Sequence, residues 1–167
     1  YSGTVFYQTV GLLPFAVLTD VACSSASTPD ERGIKFKLPF PARIAGMWFY
    51  GDVNGDVTLN LYDSDGTTKR AGTPYTFDVN IQTAATAGLH FIRFTSTFNA
   101  LKDTFYRLTV APDVTTSYLG EMDVDVTTGA AMMDAMPGGQ NIHHTSDTNA
   151  SGVWTDTTTK RAMMGVL

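Results

Sequence analysis

The 167-residue sequence predicts an all-β domain: two antiparallel sheets packed face to face as a sandwich. Three observations carry this. Only 16% of residues are charged and 11% are aromatic, Thr is abundant, and the helix-favouring residues Glu, Lys and Gln are scarce. Short runs alternate apolar and polar with period two, the signature of a half-buried strand. Clusters of Gly, Pro, Asp and Asn separate those runs at near-regular spacing. No internal repeat occurs at a propeller or solenoid period.

The clearest stretch is Ile44 to Gly66, IAGMWFYGDVNGDVTLNLYDSDG. Val57, Leu59 and Leu61 alternate with Thr58, Asn60 and Tyr62, so one face is core and the other polar. Ile44 to Tyr50 is β-branched and aromatic, a second strand. A bulge at Gly46 would turn Ile44, Met47 and Phe49 inward and Trp48 and Tyr50 outward; without one, Trp48 shares a face with Ile44. The bulge is the favoured reading. Asn54-Gly55 is a strong hairpin signal because both residues tolerate positive φ, so the two strands are expected to pair directly. Asp63-Ser64-Asp65-Gly66 is a further turn.

In chain order, Thr4 to Val10 alternates as a strand, and Gly11 to Val21 reads as a buried strand or an extended cover segment carrying Pro14. Ser24 to Gly33 is a loop by composition, and Ile34 to Leu38 a short strand stopped by Pro39 and Pro41. Further strands are expected at Tyr75 to Ile81, Leu89 to Thr95, Phe105 to Val110 and Ser117 to Val126, with a linker from Ser96 to Asp103. Thr128 to Met136 is the one good helix candidate, capped by Thr128 and stopped by Pro137-Gly138-Gly139. Asn141 to Thr145 and Val153 to Thr157 are expected to pair around a polar loop. The reading is thus one domain over 1–167, with the sandwich core at 33–126 and a helix, loop and covering segment at 127–167. A jelly roll is the first topology.

Composition also limits function. The net charge of −5, with basic residues scattered from Arg32 to Arg161, argues against a nucleic-acid binder. The single cysteine, Cys23, permits no internal disulfide and reads as a small buried thiol. No apolar run approaches the roughly 20 residues that span a bilayer, so no membrane partner is expected. YSGTVFYQTV has no basic leader segment, so no signal peptide is expected. Asn149-Ala150-Ser151 fits a glycosylation acceptor, a triplet common by chance.

Several constellations could carry chemistry. Asp52, Asn54 and Asp56 place oxygens at every second position, as in the opening of a calcium loop. The motif then fails, with Val57 where glycine is required and a strand where a helix should follow. Solvated turn acids are the preferred reading, with Ca2+ the one cofactor left open. Glu121, Asp123 and Asp125 recur every second residue, placing three carboxylates on one strand face at about 6.5–7 Å spacing. That spacing suits an inverting glycosidase pair, but side chains on one strand point in parallel and cannot converge on a bond. A solvated face is preferred. His143 and His144 are adjacent, so on a strand they point to opposite faces and cannot share a metal; His90 lies far off in sequence. No nucleophile elbow, zincin pair, phosphate loop or paired CxxC occurs, and the chain is not expected to be an enzyme. Trp48, Tyr50, Tyr62 and Trp154 are the candidate outer aromatics, able to stack glycans or anchor a protein partner. The apolar tail with Met163, Met164, Val166 and Leu167 must be covered, and is the candidate subunit contact.

The run from Phe36 to Tyr50, FKLPFPARIAGMWFY, followed by VTLNLYDSDGT and TFYRLTVAP, resembles a jelly-roll domain of tailed-phage virion structural proteins and related carbohydrate-binding-like modules. The ending Trp154 to Arg161, WTDTTTKR, followed by MMGVL, is similar to the carboxyl-terminal signature of the same phage proteins. The resemblance covers the region from Ile34 to Leu167 and marks scaffold and turns, so no functional residue transfers with it. It implies a non-enzymatic capsid-decoration, fibre or tail-associated protein located in the virion, oligomeric, and partnered by copies of itself or other virion proteins. The alternative is a carbohydrate-binding module whose surface aromatics stack glycans.

Overall fold

The structure, a computed structural model, describes residues 17–23, 28–52, 56–70, 75–78, 88–123, 142–148 and 151–167. These form twelve strands in chain order: β1 Val17–Ala22, β2 Glu31–Lys37, β3 Ala42–Asp52, β4 Asp56–Asp63, β5 Tyr75–Asp78, β6 Gly88–Ala100, β7 Phe105–Pro112, β8 Tyr118–Asp123, β9 Ile142–Asp147, β10 Trp154–Thr157, β11 Lys160–Ala162 and β12 Met164–Val166. The expected strand at 4–10 and helix at 128–136 lie outside the described residues.

Two six-stranded antiparallel sheets pack against each other, so the chain is an all-β sandwich. The first sheet holds β1, β8, β3 and β12, with β11 on β8 and β6 on β3. The second runs β10-β9-β2-β7-β4-β5. The pairings nest: β2 with β7 and β4 with β5 in the second sheet, β3 with β6 in the first. This is one long hairpin wound alternately across both sheets, the winding expected of a jelly roll.

Alternation decides what lies between the sheets. Met47 and Phe49 of β3, Leu119 of β8 and Met164 of β12 meet Ile34 and Phe36 of β2, Val57, Leu59 and Leu61 of β4, and Tyr106, Leu108 and Val110 of β7 in one buried core. The register of β3 on β6 shifts between Ile44 and Gly46. The bulge is real, and it puts Ile44, Met47 and Phe49 on the core side as expected.

Three expectations are corrected. β3 and β4 do not pair: β3 belongs to the first sheet and β4 to the second, so Asp52 and Asp56 flank a crossover and not a hairpin turn. Both strands are greasy on one side, and burying both against each other across the core gains more apolar contact than pairing them edge to edge. The linker expected at Ser96 to Asp103 is largely strand, since β6 continues to Ala100 and stays paired to β3. The segment after 141 pairs as expected, β9 with β10, but it is more than a cover: that pair extends the second sheet, while β11 and β12 enter the first.

Candidate functional site

Polar side chains gather in two places, one inside the sandwich and one on the outer face of the second sheet. Inside, Glu121 of β8 shares the inward face of Leu119 and is 1% exposed. Arg32 of β2 and His144 of β9 face it from the other sheet. His144 Nε2 lies 2.8 Å from Glu121 Oε1, and Arg32 Nη1 donates to the same oxygen at 3.3 Å. Arg32 Nη2 donates to the buried Asp30 at 2.9 Å, and Lys160 Nζ stands 3.6 Å from Glu121 Oε2 at the rim. Burial alone would raise the Glu121 pKa, but the contact and charge of His144, with Arg32 and Lys160, outweigh it and hold the carboxyl below its ordinary value. The solvated-face reading of Glu121 is therefore wrong: this carboxylate clips the two sheets together. Beside it, burial above all pushes the Cys23 thiol up to about 12, so it stays protonated and unreactive at neutral pH.

On the outer face of the second sheet, Gly33 sits between Thr109 of β7 and Thr145 of β9. Long side chains reach across that bare position. Arg107 donates to Thr145 Oγ1, to both carboxylate oxygens of Asp156 and, at 3.1 Å, to Ser64 O. Lys35 Nζ adds a bond to Asp156 at 2.8 Å. Partial burial works against ionisation of Asp156, but Arg107, Lys35 and Thr145 win and hold its carboxyl well below the usual range. Glu31 accepts from Asn60 Nδ2 at 2.9 Å, Tyr62 OH at 3.2 Å and Thr109 Oγ1. Burial first, then Glu31 and Asp147, push the Tyr62 phenol up.

Trp154 covers this network. Its Nε1 donates to Gly66 O at 3.2 Å, its ring meets Tyr62 edge-on with centroids 5.6 Å apart, and the Arg107 guanidinium lies 5.2 Å from its centroid. One face of the indole is thus occupied by the protein's own cation. Trp154→Ala is expected to cost about 2 kcal/mol, summing the ring pair, the cation–π contact and the hydrogen bond. Chemical denaturation would measure it, and an unchanged midpoint would show that the indole covers nothing.

The four candidate aromatics do not form one platform. Trp48 and Tyr50 are on the first sheet and Tyr62 and Trp154 on the second. Trp48 and Tyr62 are buried, while Tyr50 and Trp154 are half-buried. The outer face of the first sheet instead carries exposed apolar residues that sequence reasoning passed over. Leu89 is 41% exposed and Phe91 58% exposed, paired on β6 with Tyr50 and Trp48 of β3, and Tyr118 of β8 lies close by opposite Asp52. Their signal was the alternation of β6, where His90, Ile92 and Phe94 supply the buried set and Leu89 and Phe91 occupy the outward one.

Of the candidate calcium ligands, Asp52 is half-buried in the first sheet, Asp56 is exposed in the second, and Asn54 lies outside the described residues. Among the described residues no group of three His, Cys, Asp or Glu side chains could hold a metal. His143 and His144 do point to opposite faces: His144 meets Glu121 inside, and His143 meets the Phe105 ring outside. Asp125 and the side chain of Asp123 lie outside the described residues. The tail is covered by its own chain, with Met164 wholly buried, Met163 and Val166 half-buried and Leu167 38% exposed. Met164 lies in the core and Val166 packs against it, so these two side chains need no neighbour to cover them, while Leu167 stays exposed.

The geometry defines a class, a two-sheet β-sandwich with charge-clipped sheets and one apolar outer face. No protein-family model matches the chain, and no curated protein or solved structure shows detectable similarity to it.

Proposed function

We propose that this chain is a non-enzymatic structural subunit of a phage virion, a capsid-decoration, fibre or tail-associated protein that works through contacts with neighbouring subunits. The observation that carries the reading is the outward apolar row of Leu89 and Phe91 beside Tyr50 and Tyr118. Aromatic and aliphatic anchors on a rigid sheet face are what a subunit interface buries at its centre. The resemblance of the Phe36 to Tyr50 and Trp154 to Arg161 stretches to virion proteins supports the same reading.

Replacing Leu89 and Phe91 together by serine tests it. Both side chains are exposed, so thermal stability is expected to stay near wild type, while self-association or capture by purified particles weakens about tenfold or more. Light scattering and particle co-sedimentation read the result. Wild-type assembly by the double variant would overturn the proposal. So would a wild-type monomer that ignores particles and retains polysaccharide through Trp154, which would establish the glycan-binding alternative.

A further inference from the structure

The first sheet forks. β3 and β8 pair directly only at Gly51–Leu119 and Asp52–Tyr118, then part. Into the fork goes the segment 160–167. Its first arm, β11, lies antiparallel on β8, with Arg161 opposite Met122 and Ala162 opposite Glu121. Its second arm, β12, lies antiparallel on β3, with Met164 opposite Phe49 and Gly165 opposite Trp48. Met163 is the apex: its N–H donates to Gly120 O at 2.8 Å, and its carbonyl accepts from Tyr50 N–H at 2.8 Å. Beyond β12, Leu167 and Gly46 bond N–H to carbonyl at 2.9 Å, and Ala45 N–H donates to Leu167 O at 2.7 Å.

We propose that this segment is an exchangeable wedge, and that the fork is an acceptor site for the same segment of a second copy of the chain. The proposal stands on the sheet geometry alone and goes beyond the virion reading. Three features carry it. The short β3–β8 ladder has a register that continues past the wedge: Tyr50 would meet Gly120, Phe49 would meet Glu121, and Trp48 would meet Met122. Phe49 and Glu121 both face inward, and Trp48 and Met122, themselves buried, alternate to the opposite face of the sheet, so an emptied fork can close without turning a side chain to the wrong side. The fork is also selective for this sequence. A Cβ on Gly165 would stand 2.7 Å from Trp48 Nε1, and Lys160 reaches Glu121. Finally, the wedge is reached from β10, an edge strand of the other sheet, through the short turn Thr158-Thr159, bonded by the Arg161 guanidinium to Thr158 O and Lys160 O. A second copy can offer the same strand and the same side chains, so exchange costs little beyond ordering two chains, and a short hinge favours it.

The test alters only the hinge of the full chain. Deleting Thr159 shortens the crossing and is expected to give a dimer on refolding at high protein concentration. A Gly-Ser-Gly-Ser insertion after Thr158 is expected to keep the chain monomeric. A labelled peptide of sequence Lys160 to Leu167 should be taken up by the intact wild-type chain and should dissociate the deletion dimer. The same peptide carrying Gly165→Val should bind about tenfold more weakly or worse. A folded monomeric deletion variant overturns the proposal, as does equal uptake of both peptides. If the deletion variant aggregates, peptide uptake by the intact chain decides alone: uptake of the native peptide with rejection of the valine peptide upholds exchange, and no uptake refutes it.

Discussion

Glu121→Ala is expected to destabilise the protein by about 3 kcal/mol, the lower end of what breaking a buried ion pair costs. The loss sits at the low end because Asp30 still holds Arg32 at 2.9 Å. For a chain of this length it corresponds to a fall in Tm of roughly 6–12 °C, readable by calorimetry. The pH dependence has a definite sign. The folded-state pKa of Glu121 lies below the ordinary value of 4.5, so the unfolded chain binds its proton first as pH falls. Its contribution is present in full above that value and is lost as pH drops through the lower folded-state pKa. Wild type should therefore lose stability more steeply below pH 4.5 than Glu121→Gln, a substitution that keeps the shape and removes the charge. Parallel acid-unfolding curves for the two proteins, or a Tm change of less than about 2 °C for Glu121→Ala, would show that the carboxylate clips nothing.

Why this clip escaped sequence reasoning, while the strands around it did not, follows from what period-two alternation can say. It sorts a strand's side chains into two sets, and at β4 and β7 the sets differ so sharply that inward is obvious: Val57, Leu59 and Leu61 in one, Tyr106, Leu108 and Val110 in the other. The Gly46 bulge was legible for the same reason, because only a shift keeps both Ile44 and Met47 on the core side. On β8 the set holding Glu121 also holds Asp123, and a carboxylate set reads as outward. The counter-signal was Leu119, two residues earlier on the same face and wholly buried. What reversed the inference is the opposite sheet, where Arg32 and His144 replace hydrocarbon at that end of the core, and no local pattern on β8 encodes them. Alternation is equally silent about which strand lies alongside which. The Asn54-Gly55 signal was read as joining β3 to β4, yet the two strands occupy different sheets because each needs the other's greasy face across the core. The polar network under Trp154 was hidden too. Arg107 lies in the outward set of β7, but its partners Thr145 and Asp156 come from β9 and β10, far along the chain.

The largest loss expected from any single methyl addition is at Gly33. In the sequence it closes a run of loop-like residues, SSASTPDERG, and reads as punctuation. In the structure it lies inside β2, a central strand paired on both sides. A Cβ built there would stand 2.0 Å from Leu108 O and 2.8 Å from Thr109 Cα. Both atoms are backbone in the adjoining strand, so no rotamer change relieves the clash and the β2–β7 ladder itself must open. Gly33→Ala is expected to cost about 4 kcal/mol or to prevent folding. Two other glycines calibrate this by separating space from backbone conformation. Gly152 has φ of +77° and nothing within 4 Å of its added Cβ, so Gly152→Ala should cost about 1 kcal/mol for the left-handed conformation alone. Gly66 has φ of +74° and an added Cβ there would stand 2.0 Å from Trp154 Nε1, but a half-buried side chain can swing aside, so Gly66→Ala should fall near 2–3 kcal/mol. Urea titrations of the three variants should give the order Gly33, Gly66, Gly152 from most to least damaging. If Gly33→Ala proves as mild as Gly152→Ala, then β2 and β7 do not approach as closely as described, and the placement of Arg107 and Glu31 across that bare position falls with them.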